Sequence, residues 1–327
     1  MNKTVDQTAV YRKLLRRARS FPAEVASRLI NVPPLAQKLS SSYERGLSRH
    51  KASLPTLSGM DAQIVADLDQ KGVHITSLAA LGLPDTEAML SSARQLMEVY
   101  AQRSARGEFR NRYTTLASAD ELMRHPQIVW WGLNQRLLQI VEAYLGLPVG
   151  YDGLNFFYTV ADGRQVGARL WHRDIEDRRI VKVTVYLHEV DADGGPYEIL
   201  HRDFPGSRDL SGFNYPVLTQ EELEKRLGAP LSDRDVTSCV GPAGTVIFSD
   251  SATHYHRGKP AVERDRCAIF YNYFSRVPLR PFFCERSGLS RAQIASLATD
   301  LLPEQRACML WHDSLPWFAR IIPPAPL

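Results

Sequence analysis

The sequence predicts a mainly β fold with flanking helices (α+β), built around an antiparallel sandwich or jelly roll. From Val149 onward, short runs of β-prone residues alternate with turns rich in Gly, Pro and Asp. Before Val149, the apolar residues recur at helical spacing, as Ile64, Val65 and Leu68 do. Helices followed by many short strands are typical of a single β domain that is supported by helices on its outside.

The composition is that of a globular protein with a sizeable core. The 327 residues are 44% hydrophobic and carry a formal net charge of +4. So small a charge does not indicate nucleic-acid binding, and it suits an anionic small molecule equally well. The four cysteines lack CxxC spacing, which argues against a zinc site or a disulfide scaffold: Cys239, Cys267, Cys284 and Cys308. We find no apolar run long enough to span a bilayer and no signal-peptide core, so we expect a cytoplasmic protein.

Three segments divide the chain. Residues 1–59 are a basic N-terminal arm with helical spacing, in which five cationic side chains lie among apolar ones: Arg12, Lys13, Arg16, Arg17 and Arg19. Such a helix can bind a membrane surface or an acidic partner, but we favour a solvated helix packed on the main domain. Residues 60–288 are predicted to form the main β domain, and residues 289–327 a helical C-terminal tail.

Most elements of the main domain can be assigned from their spacing. Helices are predicted from Met60 to Gly72, from Met89 to Tyr100 and from Leu133 to Leu145. A further helix, Gln220 to Leu227, lies in an insertion that we expect to cover the mouth of the barrel. Seven strands are predicted, at 154–160, 168–174, 180–190, 196–200, 236–240, 244–249 and 266–275.

The tetrapeptide Trp171-His172-Arg173-Asp174 is the first candidate for a metal site. In an extended chain, side chains two residues apart project from the same face, so His172 and Asp174 lie side by side. An imidazole and a carboxylate are two of the three ligands of the facial triad that holds non-haem Fe(II). A second copy of the pattern, His201 to Asp203, is followed by Phe-Pro-Gly, which bends the chain, and we do not expect it to bind metal.

A third ligand is expected from the segment that follows the apolar run 244–249. Both His254 and His256 are available there, and they too are two residues apart, so spacing alone does not choose between them. Arg266 begins the next predicted strand. A guanidinium in that position can bind a carboxylate inside the barrel with two hydrogen bonds.

The order of these motifs resembles the phytanoyl-CoA dioxygenase-like family of Fe(II)/2-oxoglutarate oxygenases. The resemblance covers roughly residues 60 to 285. It rests on His-x-Asp at 172–174, Asp-x-x-Gly-Gly-Pro at 191–196, Ala-Gly-Thr-Val-Ile-Phe-Ser-Asp at 243–250, His-Arg-Gly at 256–258 and Arg-Cys-Ala-Ile-Phe-Tyr-Asn-Tyr at 266–273. It implies a double-stranded β-helix, the distorted, cupin-like jelly roll, with iron at its open end.

The resemblance also implies roles for individual residues. His172, Asp174 and His256 would bind Fe(II), because the family's distal histidine is followed by x-Gly and this selects His256 over His254. Arg266 would bind the far carboxylate of 2-oxoglutarate. Asn155 and Tyr158 would face the cosubstrate from the strand that precedes the triad.

The activity implied by the resemblance is oxidation of a C–H bond, coupled to conversion of 2-oxoglutarate and dioxygen into succinate and CO2. Hydroxylation is the favoured outcome, and desaturation, epoxidation and ring formation are the alternatives. Asp174 favours hydroxylation over halogenation, because related halogenases have a small residue in its place. The expected substrate is a hydrophobic or amphiphilic small molecule, such as a secondary metabolite, or a CoA- or carrier-linked acyl group. Candidate contacts are Phe156, Phe157, Phe204, Phe213, Tyr215, Arg106, Arg110, Arg112 and Arg169.

Two other functions fit the residues alone. A cupin-like isomerase or hydrolase would use the same three ligands to hold a divalent ion as a Lewis acid, without a redox role. It would have no need of Arg266 at the closed end of the barrel. A non-catalytic jelly-roll binding module would hold no metal and would tolerate the substitution Asp174→Ala.

Overall fold

The structure is a computed structural model, and it describes residues 20–207 and 216–325. Its strands all pair with antiparallel neighbours in two sheets. The strands are β1 (Val73–Ser77), β2 (Thr114–Leu116), β3 (Val149–Thr159), β4 (Trp171–His172), β5 (Val181–Tyr186), β6 (Tyr197–Leu200), β7 (Val217–Leu218), β8 (Val236–Cys239), β9 (Thr245–Asp250), β10 (His256–Gly258) and β11 (Arg266–Ser275).

The strand order is that of a jelly roll. The large sheet has the order β1-β9-β5-β11-β3-β2, and the small sheet has the order β7-β4-β10-β6-β8. From β3 to β6 and from β8 to β11, the chain repeatedly crosses from one sheet to the other. This alternation is the double-stranded β-helix, and the predicted fold class is therefore confirmed.

Helices pack on both sheets. They are α1 (20–30), α2 (Pro33–His50), α3 (Gly59–Lys71), α4 (Leu78–Leu81), α5 (Thr86–Ala105), α6 (Ala119–Arg124), α7 (Pro126–Trp131), α8 (Gln135–Leu145), α9 (Gln220–Leu227), α10 (Arg291–Leu297), α11 (Pro303–Met309) and α12 (Trp317–Arg320). One large apolar cluster joins α3, α5 and α8 to the outward-facing residues of β3, β5, β9 and β11. A second, smaller apolar cluster joins residues of both sheets, among them Ile199, Ile247 and Phe270.

The described part of the arm packs on the main domain. His50 in α2 contacts Glu142 in α8, with Nε2 and Oε1 2.7 Å apart. The guanidinium of Arg178 lies 4.4 Å from the ring centre of Tyr43. These contacts agree with the favoured interpretation of the arm, whereas its five basic residues at 12–19 lie outside the described residues. The boundaries at 59 and 288 stay predictions.

Most predicted elements are present, with shifted ends. The predicted strand 168–174 is reduced to Trp171–His172, because residues 167–169 form a 3-10 turn. The strand β10 was not predicted, since three residues are too few to show alternation. No described helix is long and apolar enough to cross a membrane.

One buried hydrogen bond links the helical layer to the barrel. The hydroxyl of Tyr144 in α8 donates to Oδ2 of Asp250 at the end of β9, at 2.5 Å. Tyr144→Phe is expected to lower the free energy of unfolding by about 1 to 3 kcal/mol, because the buried carboxylate loses a donor. Urea denaturation measures this effect. An unchanged midpoint with an unchanged slope would contradict it.

Candidate metal centre

The strands β4 and β10, which carry His172 and His256, are direct neighbours. His172 in β4 and His256 in β10 are cross-strand partners, and their ring centres are 4.3 Å apart. Side chains of directly opposed residues in an antiparallel pair project to the same face. The strand register therefore brings the two imidazoles together inside the barrel.

Backbone carbonyls fix the orientation of both rings. Nδ1 of His172 is hydrogen bonded to the carbonyl of Leu170 at 2.8 Å, and Nδ1 of His256 to the carbonyl of His254 at 3.3 Å. A carbonyl can only accept, so each Nδ1 must carry the proton. Each Nε2 is then left with a lone pair, and Nε2 of His256 is buried without a hydrogen-bond partner. This is the tautomer that a metal requires.

Asp174 completes the cluster from the loop after β4. Its backbone amide donates to the carbonyl of Ser251 at 2.9 Å, which keeps the chain extended beyond the strand. Oδ2 lies 3.8 Å from Nε2 of His256. Within the described ranges, His172, Asp174 and His256 form a group whose ligand atoms all lie within 4.8 Å of one another. Two ligands that each lie about 2.0 to 2.2 Å from one ion are at most about 4.4 Å apart, so small side-chain movements bring this group to metal-binding distances.

The electrostatics of the cluster favour the metal-binding protonation states. Burial lowers the pKa of His172, and burial together with the neighbouring His172 lowers the pKa of His256 well below its usual value. Burial alone would raise the pKa of Asp174. The positive charge of Lys182, and to a smaller extent the two histidines, outweigh this effect, so the pKa of Asp174 is lowered. The site therefore offers two neutral imidazoles and one carboxylate, the donor set of a facial triad.

A cavity of about 370 Å³ connects this cluster to Arg266. Arg266 is buried, one of its Nη atoms donates to the carbonyl of Gly195, and its Nε has no hydrogen-bond partner. A Cβ at Gly258 would lie 2.7 Å from Nη2 of Arg266, so a larger residue there would displace the guanidinium from this position. Gly258 is two residues beyond His256 in β10, a separation of about 6.6 Å along a strand.

Of the two other predicted cosubstrate contacts, the structure brings only Asn155 to the cavity. Its amide donates to the carbonyl of Arg286 at 2.9 Å and accepts from Asn272 at 3.1 Å. Tyr158 is three residues further along β3 and therefore faces the helices. Its ring packs against Tyr100 and Phe109, at centre distances of 6.1 and 5.9 Å. This placement argues against a role for Tyr158 in binding 2-oxoglutarate.

The alternative ligands are held elsewhere. Nδ1 of His254 is hydrogen bonded to the carbonyl of Leu200 at 3.1 Å, and its ring lies against Gly72. His201 is hydrogen bonded through Nε2 to the hydroxyl of Thr237 at 2.6 Å. Neither His254 nor His201 belongs to the described cluster, in agreement with the choice of His256 and with the rejection of the second His-x-Asp.

The candidate substrate contacts are divided by the alternation of the strands. Phe157 and Arg169 line the cavity, whereas Phe156 lies in the outer core and Phe204 packs in a separate cluster under α9. The predicted contacts Arg106, Arg110 and Arg112 are exposed. The predicted contacts Phe213 and Tyr215 lie outside the described residues.

Two cavity residues close to the cluster were not predicted. Tyr197 stacks on His256 with ring centres 5.5 Å apart. Nζ of Lys182 lies 2.5 Å from Oδ2 of Asp174 and forms an ion pair with it. The sequence did contain a signal for Lys182. It is the charged residue of β5 and lies between Val181 and Val183, whose outward-facing side chains place that of Lys182 inside the barrel.

Asp152, a buried carboxyl group in the cavity wall, gives a pH-dependent prediction. Burial raises its pKa to about 7, although backbone amides of Glu285 and Arg286 donate to it and oppose the rise. The pKa of an aspartate in the unfolded chain is about 3.9. The contribution of Asp152 to the free energy of unfolding is therefore fully present below about pH 4 and is lost as the pH rises to about 7. Asp152→Asn removes this dependence.

The readout is the difference in free energy of unfolding between wild type and Asp152→Asn at pH 5 and pH 7. Wild type is expected to lose about 2 kcal/mol relative to the variant over that range. The variant is also expected to be less stable at both pH values, because its amide NH2 cannot accept from a backbone N–H. A difference that does not change with pH would contradict the prediction.

No protein-family model matches the chain, and no curated protein matches it. The solved structures to which the chain is similar include the following three. The epimerase SnoN, in complex with Fe3+, alpha ketoglutarate and nogalamycin RO, is 14% identical, with 75% of this chain and 90% of SnoN covered and a TM-score of 0.45. EctD from S. alaskensis, with 2-oxoglutarate and 5-hydroxyectoine, is 18% identical, with coverage of 71% and 86% and a TM-score of 0.45. HygX from Streptomyces hygroscopicus, with nickel and 2-oxoglutarate bound, is 14% identical, with coverage of 68% and 88% and a TM-score of 0.41. At this level of similarity, the assignment of the jelly roll depends on the strand order of the chain itself.

Proposed function

We propose that this chain is an Fe(II)- and 2-oxoglutarate-dependent dioxygenase of the phytanoyl-CoA dioxygenase-like type, which hydroxylates a C–H bond of a small molecule. One observation carries the proposal: the His172, Asp174 and His256 cluster shares a cavity with the buried guanidinium of Arg266. A metal site of this donor set leaves coordination positions open. An arginine inside the barrel, with an unpartnered Nε, is suited to one end of a dicarboxylate.

The residues present fit both implied groups. The orphaned Nε2 of His256 and the separations within the cluster fit a divalent ion. Gly258 leaves room for the guanidinium of Arg266, and about 6.6 Å of strand separates this glycine from His256. This separation suits a five-carbon dicarboxylate held between the metal and the guanidinium. When bound, Fe(II) with 2-oxoglutarate and dioxygen supplies the oxidation of a C–H bond, with release of succinate and CO2.

The remaining tasks fall to the side chains of this chain. The carbonyls of Leu170 and His254 hold the two imidazoles in the tautomer that presents Nε2 to the metal. Arg266 orients the cosubstrate by binding the carboxylate that does not react. Phe157, Phe270 and Phe274 line the same cavity and exclude water from the reacting bond.

The cavity also restricts the substrate. Its apolar rings and its polar groups, such as Asn272 and Arg286, suit an amphiphilic small molecule. At about 370 Å³, it is near the lower end of the range for ligand pockets. A carrier such as CoA would therefore stay outside, with only the reacting group reaching the metal.

An anaerobic titration tests the proposal. Metal-free protein receives Fe(II) and then 2-oxoglutarate, and the weak visible charge-transfer band of the chelate is recorded. A band that depends on both additions, followed by succinate release in air with a screen of small molecules, is the expected result. If iron binds but 2-oxoglutarate changes nothing, a Lewis-acid isomerase or hydrolase replaces the oxygenase. If no metal binds, the chain is a binding module.

A further inference from the structure

The position of Lys182 has a consequence for the metal centre. Its side chain is 19% exposed and that of Asp174 is 7% exposed, so the ion pair between them is largely shielded from water. Lys182 projects from β5 into the barrel, and its cross-strand neighbour Asn272 also lines the cavity. The ammonium contacts Oδ2, which is also the carboxylate oxygen 3.8 Å from Nε2 of His256.

A metal ion on that oxygen would be close to the ammonium. With a metal–oxygen distance of about 2.1 Å and a measured Nζ to Oδ2 distance of 2.5 Å, the two cations would be separated by at most about 4.6 Å. At that separation in a shielded cavity, two positive centres repel each other strongly, and one carboxylate cannot neutralise both. Either the ammonium leaves Asp174 or a second anion must enter beside it.

We propose that Lys182 couples metal binding to the binding of a carboxylate next to the metal. Without that carboxylate, the ammonium competes with the metal ion for Asp174. With it, the ammonium turns to the new anion, and the metal gains full use of Asp174. The inference rests on the proposed function, because it takes the cluster as a metal centre. The carboxylate is either the chelating end of 2-oxoglutarate or a carboxylate of the substrate.

Binding measurements on metal-free protein test the coupling without any turnover. Co(II) is titrated into wild type, Lys182→Met and Lys182→Arg, first alone, then with saturating 2-oxoglutarate, and then with 2-oxoglutarate plus acetate. Lys182→Met is expected to bind Co(II) about 10-fold more tightly than wild type when no carboxylate is present, and Lys182→Arg is expected to resemble wild type. Lys225→Met, which removes an exposed charge on α9, is the control and is expected to change nothing.

The titrations with 2-oxoglutarate and acetate identify the carboxylate that binds Lys182. If 2-oxoglutarate strengthens Co(II) binding about 10-fold more in wild type than in Lys182→Met, the cosubstrate is the partner of Lys182. If 2-oxoglutarate acts equally on both proteins but acetate strengthens binding only in wild type, a substrate carboxylate is the partner. If the Co(II) affinity of Lys182→Met equals that of wild type, or neither carboxylate distinguishes them, the coupling is refuted while the proposed function stands.

A stability measurement completes the design. In the presence of a chelator, Lys182→Met is expected to melt at a lower temperature than wild type, because Asp174 loses its cation in a buried site. Where methionine prevents folding, Lys182→Gln keeps a polar end and supports the same comparison. Failure of wild type itself to bind Co(II) would overturn the proposed function and this inference together.

Discussion

Replacing His256 with alanine is expected to weaken divalent-metal binding by at least about 100-fold and to abolish 2-oxoglutarate-dependent succinate release. The site would keep only two of its three protein ligands, His172 and Asp174. His256 is also buried, and its Nδ1 bond to the carbonyl of His254 shows that the ring is held for its free Nε2. Calorimetric titration with Co(II) or Mn(II) measures the loss.

His254→Ala is the matched control for His256→Ala. Both residues are histidines of the same short segment, but the ring of His254 lies against Gly72 outside the described cluster. We expect metal affinity to change less than about 3-fold in this variant, with at most a modest loss of stability. The assignment of the third ligand fails if the His254 variant loses metal and the His256 variant keeps it.

Arg266→Met is expected to raise the Kd of 2-oxoglutarate by about 100- to 1000-fold, while Co(II) affinity changes little. A buried guanidinium that meets a carboxylate with two charge-assisted hydrogen bonds accounts for several kcal/mol of binding. Anaerobic titration of the Co(II)-loaded variant with 2-oxoglutarate separates the two effects. Arg264→Met is the control, because Arg264 is exposed and pairs with Asp191 at the surface.

Gly258→Ala tests the same contact from the other side. The added Cβ would lie 2.7 Å from Nη2 of Arg266, so the guanidinium must move. We expect a weaker effect of the same kind, about a 10-fold rise in Kd. Gly46→Ala, whose Cβ meets only a leucine methyl group at 3.3 Å, should leave binding unchanged. Normal cosubstrate affinity in both Arg266→Met and Gly258→Ala would remove Arg266 from the site.

The alternation of strands explains which parts of the site the sequence could predict. His172 and Asp174 are two residues apart in an extended chain, so their common face follows from local geometry alone. The prediction that Asn155 and Tyr158 both face the cosubstrate conflicted with the same rule, because three residues separate them. The structure accordingly places Asn155 in the cavity and Tyr158 among the helices.

Other features depend on contacts that lie far apart in the sequence. His256 faces His172 because β10 pairs with β4 in one particular register. The two histidines are 84 positions apart in the sequence. Spacing alone had left His254 and His256 equivalent. Likewise, the contact between Lys182 and Asp174 requires β5 of the large sheet to face the loop after β4 of the small sheet. No local pattern encodes the distance between two sheets.

The Nδ1 contacts of the two histidines bear on how such a protein can diversify. In each case the acceptor is the main-chain carbonyl two residues earlier, Leu170 for His172 and His254 for His256. A main-chain acceptor survives almost any side-chain exchange at its own position. Substitutions of the side chains that line the cavity therefore have little effect on the orientation of the two imidazoles. Such substitutions can reshape the pocket while the orientation of the two imidazoles is retained.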